Sequence, residues 1–104
     1  MFLVQLLLPL TDNAGAPFPN TAYCAVADEL THRFGGVTAY TRAPAEGRWK
    51  EEGPKEREAH DEILIMEVMV HDLDRTWWQG YRRDLEARFA QDALVVRAHA
   101  IETL

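Results

Sequence analysis

Glu67 interrupts an otherwise apolar run, Ile63-Leu64-Ile65-Met66-Glu67-Val68-Met69-Val70. A strand that is apolar at both odd and even positions is covered on both faces. A carboxylate inside it is costly unless it is paired, hydrogen-bonded or protonated. An enclosed carboxyl group that holds its proton to higher pH can also serve as a general base near neutrality. Glu67 is therefore the first candidate for chemistry. Gln5 breaks the run Phe2 to Leu8 in the same way. Tyr40 can orient a substrate oxygen, His99 can shuttle a proton, and Arg97 and Arg42 can hold an anion. Trp49 can close over such a pocket or embrace a second subunit.

A plainer reading stands beside this one: Glu67 pairs with Arg97 or Arg42, from its own subunit or a partner, and fixes the register of a dimer. Other chemistries find less support. His60-Asp61-Glu62 and His71-Asp72-Leu73-Asp74 cluster metal-binding types. Neighbours on a strand point to opposite faces, however, and neither cluster gives the i, i+4 pair of a helical zinc site. Cys24 lies beside a helical stripe and reads as a small buried filler. Serine is absent, which removes a serine nucleophile. Gly35-Gly36 follows a helix and reads as a stop signal rather than a phosphate loop. The expectation is a site that uses neither metal nor cofactor.

What positions these residues is a chain of six elements. The first strand spans Phe2 to Leu8 and ends at Pro9. A turn-rich stretch, Thr11 to Pro17, leads to a helix from Asn20 or Thr21 to Phe34, with Asn20 as a candidate cap. Its stripe is Tyr23, Val26, Ala27, Leu30 and Phe34. Val37 to Arg42 alternates as an edge strand does. Residues 43–61 read as a long charged loop, and Glu62 to His71 as the third strand. Asp72 or Asp74 caps a second helix, Arg75 to Ala90, with the stripe Trp78, Tyr81, Leu85 and Phe89. Trp77 lies off that stripe, where a tryptophan often anchors an interface. Ala93 to Ile101 is the last strand.

The order βαββαβ predicts a ferredoxin-like α+β fold: one four-stranded antiparallel sheet with both helices on one face. The first and third strands are central in that topology, and they are the two that are apolar throughout. Parity then sorts the faces. Leu64, Met66, Val68 and Val70, with Leu94, Val96, Ala98 and Ala100, turn to the helices. Leu3, Leu7, Ile63, Ile65, Met69, Val95 and Ile101 fall on the open face, with Gln5, Tyr40, Glu67, Arg97 and His99 among them. So apolar a face calls for cover. A second copy packed sheet to sheet at about 10 Å is the simplest, giving a two-fold homodimer.

With its βαββαβ order, its length and its half-polar open face, the chain resembles the dimeric α+β barrel group of ferredoxin-like proteins. Arg33-Phe34-Gly35-Gly36-Val37-Thr38, Gly47-Arg48-Trp49 and Arg88-Phe89-Ala90-Gln91-Asp92 are similar to stretches of small bacterial domains of this type. The group includes cofactor-independent monooxygenases and small isomerases. The resemblance implies a small-molecule pocket on the sheet face, monooxygenase- or isomerase-like, and carries no member's catalytic motif with it. The rival is a structural or regulatory homodimer whose sheet interface is fully packed.

The totals fit one domain, residues 1–104, able to bury roughly 65% of its unfolded surface. Seventeen acidic against eleven basic side chains give a net charge of −6, which argues against nucleic acid or an anionic membrane as partner. A single cysteine excludes an internal disulfide and suits a reducing compartment. Met1 to Leu10 lacks a basic start, contains Gln5 and is too short to span a bilayer. A strand and a cytoplasmic location are expected.

Overall fold

The computed structural model describes the backbone of residues 1–51 and 57–104 and the side chains of 1–40 and 63–104. Six elements follow in the expected order: β1 (Phe2–Pro9), α1 (Asn20–Phe34), β2 (Thr38–Glu51), β3 (Arg57–Val70), α2 (Arg75–Arg88) and β4 (Val96–Ala100). The sheet runs β2-β3-β1-β4 with every neighbouring pair antiparallel. This is the ferredoxin-like α+β fold. β1 and β3 lie at its centre, as their apolar character on both faces requires.

Alternation decides the core. Val4, Leu6 and Leu8 of β1 and Leu64, Met66, Val68 and Val70 of β3 are buried, whereas Leu3, Gln5, Leu7, Ile63, Ile65 and Glu67 are only half-buried. The buried row meets Tyr23, Val26 and Leu30 of α1 and Trp78, Tyr81, Leu85 and Phe89 beneath α2. Both helical stripes therefore face the sheet. Gly35 ends α1 in the left-handed region at φ 87°, its N–H bonding the Thr31 carbonyl at 2.8 Å. The Asp74 side chain caps α2, accepting from Trp77 N at 3.1 Å.

The two helices are tied by a polar clamp at one end and an aromatic layer at the other. Arg88 donates to Glu29 of α1 and to Asp84 of its own helix, each at 2.7 Å, and the Tyr81 hydroxyl donates to Glu29 at 2.9 Å. The Arg88 guanidinium holds the Glu29 carboxyl below its ordinary range, while burial and the Glu29 hydrogen bond push the Tyr81 phenol up. Phe34 stacks on Trp78 at 5.1 Å between ring centres, Trp77 stacks on Tyr81 at 4.9 Å, and the Arg33 guanidinium lies 4.1 Å from the Trp77 ring centre.

Several details depart from the sequence reading. Asn20 is the first helical residue and caps nothing; Pro19 occupies the cap position in an extended conformation, with no side-chain cap bond. Cys24 is exposed rather than buried, because it stands one residue past Tyr23 and two before Val26, turned off the buried stripe. Trp77 joins the aromatic layer inside its own chain. The stretch read as a loop carries strand backbone on both sides: β2 extends to Glu51 and β3 begins at Arg57, with a break in register between Tyr40 and Ala45. β4 is shorter than expected, and Ala98 and Ala100, on its helix-facing parity, are exposed.

Candidate functional site

The register of the sheet lines up the polar residues of the open face. Gln5 of β1 stands opposite Glu67 of β3 on one side and Arg97 of β4 on the other. Thr38 of β2 stands opposite Glu67, which brings Tyr40 to the diagonal position. Side chains at such positions fall within reach of one another.

They form one hydrogen-bonded row across all four strands. Arg97 Nε donates to Gln5 Oε1 at 2.8 Å, and Gln5 Nε2 donates to Glu67 Oε1 at 2.8 Å. The Tyr40 hydroxyl donates to Glu67 Oε2 at 3.1 Å. The row runs from a cation through a neutral amide to an anion that accepts at both oxygens. Gln5 suits the middle because an amide both accepts and donates. Chains of this kind polarise one another and hold their members in fixed orientation. The hydrogen bond to Glu67, with the charge behind it, raises the Tyr40 phenol above its ordinary range, so the tyrosine stays a protonated donor at neutral pH.

The surroundings are apolar but open. Met69 is 58% exposed, Val95 51% and Tyr40 46%, and Leu3, Leu7, Ile63, Ile65 and Ile101 are half-covered. His99 lies on the same face, opposite Leu3 and one pair along from the row. It is exposed. The structure thus gathers Gln5, Tyr40, Glu67 and Arg97 into one array and leaves His99 at its margin. The side chains of Arg42 and Trp49 lie outside the described residues.

Two points escaped sequence reasoning. Gln5 stands between Arg97 and Glu67, where a direct ion pair was the simplest guess; the signal was the matching position of Gln5 and Glu67 as the single polar residues of the apolar runs 2–8 and 63–70. A second polar cluster, Arg75, Gln79 and Arg82 on α2, carries spacing i, i+4, i+7 and borders the edge of β4. Among the described residues no helix is long and apolar enough to cross a membrane.

The fold and the row define a small ferredoxin-like α+β domain with a polar seam across its open sheet face. No protein-family model matches the chain, and no curated protein does. Among solved structures it is similar to a phage SAM lyase in complex with S-methyl-5'-thioadenosine, with a TM-score of 0.60 and 11% identity, over 94% of this chain and 79% of that one. It is also similar to a phage SAM lyase in the apo state, with a TM-score of 0.54 and 12% identity, over 94% and 78%. At these identities the likeness establishes the fold.

Proposed function

We propose that the protein is a homodimer whose open sheet faces enclose a small-molecule pocket, and that the row Arg97–Gln5–Glu67–Tyr40 addresses the ligand there. The observation that carries this reading is the row itself: four polar side chains, held in order by three hydrogen bonds, cross a half-covered apolar surface. Recognition sites have this composition, mostly apolar with a few convergent polar groups. Glu67 is the base or the anchor for a cationic centre. Tyr40 and Gln5 set its orientation, and Arg97, with His99 beside it, takes the anionic or acidic part. Arg42 and Trp49 are included in the same proposal as substrate-binding residues.

The SAM lyases support a small-molecule role, since one holds S-methyl-5'-thioadenosine on the same fold. Metal-free monooxygenase- or isomerase-like chemistry is the wider class to which such a pocket belongs. The rival is a purely structural or regulatory dimer with a filled interface. It has one observation in its favour: Glu67 already accepts at both oxygens within its own chain.

Light scattering after size exclusion tests the dimer; a particle near 11.9 kDa at micromolar concentration removes it. Calorimetric titration with SAM and with S-methyl-5'-thioadenosine, on the wild type and Glu67→Gln, tests the pocket. Binding that weakens about tenfold in a still-dimeric Glu67→Gln supports the site. A variant that loses the dimer, from a wild type that takes up neither compound, supports the structural rival.

A further inference from the structure

Behind the sheet, on its helical side, α2 does not fully cover β4. Val96 is half-buried there, while Ala98 and Ala100 are small and exposed, so the lane between helix and edge strand is left unfilled. The result is a groove of about 330 Å³, floored by Val4, Val96 and Ala98 and walled by Leu73 and Trp78. Its polar rim carries two cations, Arg75 and Arg82 of α2, with the Gln79 amide between them; the Arg97 guanidinium is engaged by Gln5 on the opposite face of the sheet. On a chain whose net charge is −6, that local excess of positive charge is a departure from the whole.

Arg82 supplies the second observation. Its side chain is 40% exposed, yet its Nε is shut off from solvent and meets no hydrogen-bond acceptor. The nearest carboxylate oxygen, Glu86 Oε1, stands 4.0 Å away, beyond hydrogen-bond reach. Glu86 is engaged elsewhere, its Oε2 accepting from Leu94 N at 2.9 Å. A guanidinium nitrogen shut off from water without an acceptor is an incomplete interaction. Arg82 lines a groove whose floor and walls are apolar, and a turn of its partly exposed side chain would present that nitrogen to a bound anion.

We propose that this groove is a second binding site, distinct from the open face, for a small organic anion with a flat apolar body. The body lies along Val4, Leu73, Val96 and Trp78. The carboxylate or phosphate head meets Arg82 and Arg75, with the Gln79 amide beside them. The volume is at the lower end for ligand pockets, which limits the occupant to a small molecule. Arginine is suited to either head because its planar fork matches both.

The test uses phenyl phosphate, benzoate and inorganic phosphate, each titrated into the full chain and followed by nitrogen–proton NMR. Either aromatic probe should shift the Trp78 indole, the Gln79 amide and the Arg82 Nε–H together, and bind more tightly than inorganic phosphate. Arg82→Gln and Arg75→Gln should each weaken binding about tenfold, whereas Arg83→Gln, on the exposed side of the same helix, should leave it within about twofold. Ala98→Phe fills the floor from an exposed position and should abolish binding without unfolding the chain. No shift at Arg82 with millimolar probe overturns the site, as does equal weakening by Arg83→Gln. Equal affinity for inorganic phosphate overturns it too, since a surface charge cluster then accounts for everything seen.

Discussion

Replacing Gln5 by methionine isolates the centre of the row. Methionine matches glutamine in length and in strand compatibility, and it removes only the amide. Two hydrogen bonds go, one from Arg97 and one to Glu67, each 2.8 Å long and each with a charged partner. Bonds to charged groups contribute about 1.5–3 kcal/mol apiece where water is excluded. Glu67 is half-buried and Arg97 exposed, so water takes over much of what is lost. The expected net destabilisation is about 1.5 kcal/mol, or about 6–10 °C in Tm for a chain of this size. Calorimetry at fixed protomer concentration measures it, because any self-association also enters the Tm. The stricter form is a double-mutant cycle with Glu67→Met. Once Glu67 is gone, Gln5 has lost one of its two partners, and Gln5→Met should cost about half as much. A coupling of about 0.7 kcal/mol is expected; additivity within about 0.3 kcal/mol would falsify the row as an energetic unit.

Two further outcomes follow from the helices. Arg88→Leu opens the clamp between α1 and α2 and should cost about 1 kcal/mol at pH 7, discounted because Arg88 and Glu29 are more than a third exposed. Arg88 holds the folded pKa of Glu29 below the ordinary carboxylate value, so the clamp's stabilisation is fully present above that ordinary value and is lost as pH falls through the folded pKa. Urea unfolding from pH 7 down to pH 3 should therefore show wild type and variant converging on the acid side, and a constant gap would count against the clamp. Asp74→Ala removes the acceptor of the Trp77 N–H and should lower stability by about 1 kcal/mol, with amide exchange faster in the first turn of α2 than elsewhere.

The topology was legible because three independent signals agreed. β1 and β3 are apolar on both faces, both helices carry a stripe at helical spacing, and the connections allow one right-handed arrangement. Parity was legible too, since Gln5 and Glu67 are the lone polar residues of the apolar runs 2–8 and 63–70. What sequence does not encode locally is which side chain completes a contact between strands far apart in the chain. Arg97 and Gln5 are ninety-two positions apart, and only the pairing of β4 with β1 brings them together. Charge alone matched Arg97 to Glu67; geometry interposed an amide. Cys24 was misplaced for a different reason. A small apolar residue next to a stripe fits inside or outside, and the helix phase set by Tyr23 and Val26 decides. Residues 43–51 and 57–61 are charged and carry proline and glycine, signals of a loop that backbone pairing between β2 and β3 overrides.

The polar row also answers a difficulty built into the two central strands. Hydrophobic pattern normally sets how neighbouring strands align, since sliding by one residue turns the greasy side outward. Over their paired stretch, Phe2–Pro9 with Ile63–Val70, β1 and β3 are greasy on both sides, so sliding costs them little by that criterion. Gln5 and Glu67 remove the ambiguity. A one-residue slip of β3 swings the Glu67 carboxylate to the helix side, into the buried apolar layer, where a charge is costly. The misaligned sheet is thereby penalised while the chain is still assembling, and the residues that best suit a binding face double as the spelling that tells the sheet where to stop.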